Sequence, residues 1–280
     1  MGSRTDAGSV SAVLREWVTG VGGWRHMDSE DRFVFLDFDD TLSDAAGLHA
    51  QFVRCLGEIL SDRFGGLPDR WAAAATDMLD WVASDYARRF TANPLNGYCL
   101  WLADVREGSV HRIFESMGVA VPGEAAQVGR DAQWFALQQC DALFPGAAEA
   151  VDRLRIPGRQ VHIASGHESD YLEAALLGAG LAARTGRKFG ADLVDCAKEG
   201  APYYERVFAA VGACASRCVV VDDYPPAIAW AMEAGAGVIQ AALPAARRFE
   251  PVPGVAHVMT DLRELPALVE AEFVRHAARR

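Results

Sequence analysis

Four short apolar runs constrain this chain more than any other feature. They are residues 33–36 (FVFL) before Asp37, 161–164 (VHIA) before Ser165-Gly166, 218–221 (CVVV) before Asp222-Asp223, and 237–240 (GVIQ). Runs this short, with no polar alternation and with turn formers at their ends, suit strands buried on both faces. The segments between them read as helices. Residues 147–154 are amphipathic and stop before Pro157-Gly158. Residues 170–177, 202–211 and 227–234 stop at Gly178, Gly212 and Gly235, the placement glycine favours just past a helix. Strands alternating with helices predict an α/β fold around a parallel sheet. Such sheets bind ligands beyond the carboxyl ends of their strands. Here those ends carry Asp37, Ser165 and Asp222-Asp223.

One stretch breaks the alternation. Residues 45–141 contain no convincing strand and read as four helices, near 47–64, 69–90, 95–117 and 123–140. Residues 1–43 and 142–280 are therefore expected to form the α/β domain, and 44–141 an inserted all-helical domain. The chain returns through Leu143-Phe144-Pro145-Gly146. Trp71, Trp81, Trp101 and Trp134 all lie in the insertion, where they either fill a helical core or line a cleft.

Composition removes several function classes. A chain of 280 residues with 51% hydrophobic and 23% charged residues is a folded globular protein. A net charge of −11 opposes nucleic-acid binding, which needs a cationic footprint. The six cysteines form no CxxC pair and read as reduced thiols. No apolar run reaches membrane-span length, and residues 1–10 lack the apolar core of a signal peptide. A soluble, cytoplasmic protein is expected. Residues 10–24 read as partly helical, with no role assigned.

The strand ends carry the chemistry. In Asp37-Phe38-Asp39-Asp40-Thr41-Leu42 two carboxylates stand two residues apart directly after a buried strand. Alone, this pattern fits a turn or a helix cap, a divalent-cation site, or a carboxylate nucleophile beside a second acid. Asp222-Asp223 brings two more acids to the same edge. Four converging carboxylates repel unless a cation or protonation relieves them, and hard oxygen ligands suit Mg²⁺. Ser165-Gly166 supplies a hydroxyl and backbone N–H groups at a helix start, a phosphate cradle. Lysine is scarce: 25 of the 27 basic residues are arginine, leaving Lys188 and Lys198. Lys198 falls between the second and third of these strand ends.

The order LDFDDTL, VHIASG, Lys198, VVVDD resembles the haloacid dehalogenase (HAD) superfamily, over about residues 32–270. The segment 143–154 (LFPGAAEAVDRL) is similar to that family's return from a helical cap. The resemblance implies a Rossmann-like core and a Mg²⁺-dependent phosphatase acting on a small phosphorylated metabolite. It implies Asp37 as nucleophile, Asp39 as acid and base, and Thr41 as holder of the loop and of Asp39. Ser165 would bind the phosphoryl group and Lys198 would neutralise it. Mg²⁺ would be held by Asp37, the Asp39 carbonyl, Asp223, and Asp222 directly or through water. Phe38, Gly166 and His167 would face substrate. Phosphoryl transfer asks mainly for positioning and charge neutralisation.

Two departures stand out. Glu199-Gly200 follows Lys198 where the family commonly has proline, and Tyr224-Pro225-Pro226 follows the last acid pair. Family dehalogenases lack the second acid, so Asp39 disfavours dehalogenation. Family phosphonate hydrolases use a cap lysine, and residues 45–141 contain none. A sugar phosphomutase and a non-catalytic binding module remain as alternatives.

Overall fold

The computed structural model describes residues 31–244, 246 and 249–278. The expectations for residues 1–10 and 10–24 lie outside them. Among the described residues, six strands form one fully parallel sheet: β1 (Arg32–Leu36), β2 (Arg159–Ala164), β3 (Lys188–Phe189), β4 (Cys218–Asp222), β5 (Gly237–Ala241) and β6 (Val258–Met259). Their spatial order is β3-β2-β1-β4-β5-β6. The order reverses beside β1, which creates a crevice at the carboxyl ends of β1, β2 and β4. Leu36 pairs with both Ile163 and Val221. One residue further on, Asp37 therefore stands level with Ala164 and Asp222.

The apolar runs lack polar alternation because both faces of the sheet are covered. Val34, Leu36, Ile163, Val219 and Val221 enter one buried cluster, and Phe33, Phe35, Ala164, Cys218 and Val220 enter another. The two edge strands β3 and β6 have only two residues each, too few to show a pattern, and the sequence reading did not find them. The helices α5 (Ala147–Leu154), α6 (Ser169–Gly178), α7 (Ala201–Ala210) and α8 (Pro225–Glu233) fall within two residues of expectation. The closing helix α9 (Leu265–Ala277) was not anticipated. Lys188, unexplained in sequence, donates from Nζ to the Ala182 carbonyl at 2.9 Å and pairs with Glu173 at 3.0 Å.

Between β1 and α5 run α1 (Ala45–Phe64), α2 (Pro68–Phe90), α3 (Tyr98–Met117) and α4 (Ala125–Leu137). Trp71 and Trp101 are buried, and their indole N–H groups donate to the Gly65 carbonyl at 2.7 Å and to Asp85 Oδ2 at 2.7 Å. Phe52, Leu56, Trp71 and Phe114 join the same buried cluster as Val34 and Leu36. The two connections of the insertion are bonded to each other: Asp44 N–H donates to the Ala142 carbonyl at 2.8 Å, and Phe144 N–H to the Leu42 carbonyl at 2.9 Å. No described helix is long and apolar enough to cross a membrane.

His162 on β2 is a polar residue in this core. It is 4% exposed, stacks 5.5 Å from Phe35, and accepts the Arg187 N–H on Nδ1 at 2.9 Å. Burial, then the charges of Arg187 and Lys188, push its pKa down from 6.5 to about 4. The unfolded chain therefore binds this proton more readily than the folded one. The stability from keeping His162 neutral is complete above the unfolded value and is lost as pH falls toward about 4, a change of about 3 kcal/mol. Urea unfolding at pH 7 and pH 4 should show wild type losing that much more stability than His162→Gln. An equal loss in both would show that His162 does not titrate in this way.

Candidate active site

The first acidic loop is built by the end of β1. Asp37 N–H donates to the Val221 carbonyl at 2.9 Å, continuing the β1–β4 ladder by one residue. The chain then turns tightly. Leu42 and Ser43 N–H groups donate to the Phe38 carbonyl at 2.9 and 3.0 Å, and Asp40 N–H to the Ser43 carbonyl at 2.7 Å. Asp40 takes φ 53°, a left-handed conformation that aspartate tolerates better than most residues. Its Oδ1 accepts the Ala45 N–H at 3.2 Å, while Asp44 caps α1 by accepting the Ala46 N–H at 3.1 Å. The Phe38 side chain is 1% exposed within the core, so only the Phe38 backbone is left to face a substrate. The Thr41 hydroxyl is buried without a hydrogen-bond partner and does not hold Asp39, because backbone turn bonds and the Ser43 hydroxyl already close the loop.

Lys198 reaches this loop from the segment before α7. Its Nζ lies 2.6 Å from Asp37 Oδ1, 2.7 Å from Asp222 Oδ2 and 3.2 Å from the Ala164 carbonyl. The Tyr204 hydroxyl donates to Asp222 Oδ2 at 3.2 Å, and Tyr224 N–H to Asp222 Oδ1 at 3.0 Å. Both Asp222 oxygens are thus already engaged. The Tyr203 hydroxyl reaches the carbonyls of Ser165 at 3.0 Å and Phe189 at 2.8 Å. Tyr203 and Tyr204 escaped the sequence reading, since in a helix the pair reads as ordinary core aromatics.

Asp37, Asp222 and Asp223 are all buried, and a ligand oxygen from each lies within 4.8 Å of the others. Burial raises the Asp37 carboxyl well above its ordinary range, Lys198 opposes this, and the charges of Asp222 and Asp223 add to it. Burial, then Asp222, raises Asp223 to about 7. Lys198 loses from burial but gains more from Asp222 and Asp37, so it stays protonated. Three carboxylates against one ammonium leave a formal charge of −2. The donor set is all oxygen and its excess charge is that of one divalent cation, so the residues fit Mg²⁺.

Asp39 lies beside this cluster. Its Oδ2 is 2.6 Å from His167 Nε2, while its Oδ1 is buried without a partner. Burial pushes the Asp39 carboxyl up, but the neighbouring imidazole outweighs this and leaves it below the ordinary value. Ser165 is buried, and its N–H continues the β2–β3 pairing to the Phe189 carbonyl at 3.1 Å. Its Oγ accepts the His167 N–H at 3.4 Å. The Gly166 carbonyl accepts the Tyr98 hydroxyl at 3.4 Å.

Asp37, the second acid Asp39 two residues on, the buried Lys198 and the Asp222–Asp223 pair meet at one crevice. The sequence profile of haloacid dehalogenase-like hydrolases matches residues 32–235. This chain belongs to that family. No curated protein matches the sequence. Solved structures of similar fold include a 2-haloacid dehalogenase from Pseudomonas syringae pv. Tomato (TM-score 0.60, 19% identity, covering 86% of this chain and 99% of that one). A putative HAD-hydrolase of Bacillus subtilis, YfnB, solved with bound magnesium, has TM-score 0.55 at 16% identity, covering 86% of this chain and 99% of its own. A HAD family hydrolase from Deinococcus radiodurans with bound phosphate and sodium has TM-score 0.51 at 23% identity, covering 88% and 98%. At these identities the likeness is one of fold. The HAD-like chain described here is a hydrolase whose own side chains must specify its substrate.

Proposed function

We propose that this HAD-like hydrolase is a Mg²⁺-dependent phosphatase that cleaves a small phosphate monoester through an aspartyl-phosphate. The observation that carries the reading is Asp39: a second carboxylate beside the Asp37–Lys198 pair, with one buried oxygen unpaired. Displacement of a halide has no leaving-group oxygen to protonate, so that step has no use for an acid here. The phosphate on the Deinococcus protein and the magnesium on YfnB are properties of those proteins that agree with the reading.

In the proposed reaction an Asp37 oxygen attacks phosphorus, and the bond from phosphorus to the leaving oxygen breaks. Asp39, protonated once the anionic phosphate lies beside it, gives its proton to that oxygen. Asp39 then takes a proton from water as the water oxygen attacks phosphorus, and the bond to Asp37 breaks to release phosphate. Lys198 neutralises charge on Asp37 and on the phosphoryl oxygens, and Ser165 donates a hydrogen bond to them. Mg²⁺, held by Asp37, Asp223 and the Asp39 carbonyl, would supply charge neutralisation for the phosphoryl group. Asp222 is read as the partner that holds Lys198.

Residues 44–141 are read as a cap over this site, and substrate choice is assigned to the cap's inner surface. The six cysteines are free among the described residues, which fits a reducing, cytoplasmic compartment. The acidic net charge fits a metabolite rather than a nucleic acid as partner.

Incubation with a panel of phosphate esters should release phosphate with Mg²⁺, and chelation should abolish the release. A parallel panel of 2-haloacids should release no halide. Halide release without phosphate release would replace the phosphatase reading with dehalogenation. A rearranged sugar phosphate without free phosphate would replace it with a mutase.

A further inference from the structure

His167 was expected as a substrate contact; its ring, half-buried in the structure, also meets Asp39. Its Nε2 lies 2.6 Å from Asp39 Oδ2. Nε2 as the donor leaves Oδ2 an acceptor and Oδ1 the oxygen that can carry a proton. The imidazole is packed face to face on Tyr171, with ring centroids 4.0 Å apart and planes 11° apart. Tyr171 itself sits one turn into α6.

The segment that carries His167 is held from outside by the helical insertion. Arg106 of α3 donates from Nε to Glu168 Oε2 at 3.0 Å, and its Nη2 lies 3.2 Å from Asp170 Oδ2. Gln133 of α4 donates to the other Glu168 oxygen. Glu168 is the residue directly after His167, and its side chain is only 11% exposed. A histidine fixed on one side by stacking and on the other by a clamped neighbour has little rotational freedom left. Its hydrogen bond therefore fixes the carboxyl plane of Asp39.

We propose that His167 is the positioning residue of Asp39: it holds Oδ2 so that the transferable proton sits on Oδ1, the buried oxygen without a partner. The inference rests on the phosphatase reading and deepens it by naming what orients the acid. Arg106 and Gln133 hold His167 through Glu168, so the insertion contributes to the geometry of proton transfer as well as to covering the site.

Two variants separate the hydrogen bond from the packing. His167→Phe keeps the stack on Tyr171 and loses the N–H; His167→Gln loses the stack and keeps an N–H at similar reach. The comparison uses kcat/KM on p-nitrophenyl phosphate, whose leaving group departs without a proton, and on glycerol 2-phosphate, whose alkoxide does not. A positioned acid contributes about 10²- to 10⁴-fold. His167→Phe should therefore lose about 100-fold on glycerol 2-phosphate and less than about 5-fold on p-nitrophenyl phosphate. His167→Gln, which keeps a donor, should recover part of the loss on glycerol 2-phosphate. Equal losses on the two esters, or a Phe variant as active as wild type on glycerol 2-phosphate, would overturn the role of His167 and leave the phosphatase reading intact. Wild type inactive on both esters would sink the phosphatase reading and the inference with it.

Discussion

Asp37→Asn should abolish phosphate release, by at least about 10³-fold, because the amide cannot form the acyl phosphate. The same variant should fold as well as wild type or better. Asp37 is one of three buried carboxylates that repel each other, and burial already disfavours its charged form. An uncharged side chain of the same shape removes part of that repulsion. Thermal melting without metal should show an equal or higher midpoint, with a gain of about 1 kcal/mol. The two readings together exclude unfolding as the cause of lost activity. Residual turnover near the wild-type rate would remove Asp37 as nucleophile.

Lys198→Met should have the opposite effect on stability. Removing the ammonium leaves Asp37 and Asp222 without their shared cation at 2.6 and 2.7 Å, inside a site with almost no solvent. Breaking a buried ion pair by deleting one partner costs about 3–5 kcal/mol. Turnover should fall by about 10²- to 10³-fold through loss of charge neutralisation at the phosphoryl group. Mg²⁺ should raise the melting temperature of this variant more than that of wild type, since a divalent cation then becomes the only counter-charge for three carboxylates. A Lys198→Met protein that melts with wild type and gains nothing from Mg²⁺ would show that the acid cluster does not depend on this lysine.

The central strands and the strand-end residues were legible because burial on both faces leaves an unbroken apolar run that stops where the sheet stops. The helices of the insertion were legible because residues 45–141 hold no strand-like apolar run. Three features were not. The two-residue strands β3 and β6 are too short to carry a pattern. Phe38 sits between two site acids in sequence, yet alternation along the chain sends its side chain into the core. The contacts of Tyr204 with Asp222 and of His167 with Asp39 join residues 18 and 128 positions apart. No local spacing encodes such pairings; the register of the sheet and the placement of α6 and α7 create them. Thr41 shows the converse, since a side chain expected to hold the loop is relieved of that work by the backbone.

The hydrogen bonds that join Asp44 to Ala142 and Phe144 to Leu42 bring the two ends of the insertion together at one place. A chain that leaves and re-enters at one place can exchange everything between for another segment without moving a strand. The acids, the lysine and the sheet register stay fixed while the replacement brings new groups to the crevice. What such a replacement must reproduce is modest: an apolar face like that of Phe52 and Leu56, to keep the sheet side of the core dry, and a grip on Glu168 like that of Arg106. The proposed catalytic acids and the proposed selecting surface then lie on separate segments of the chain.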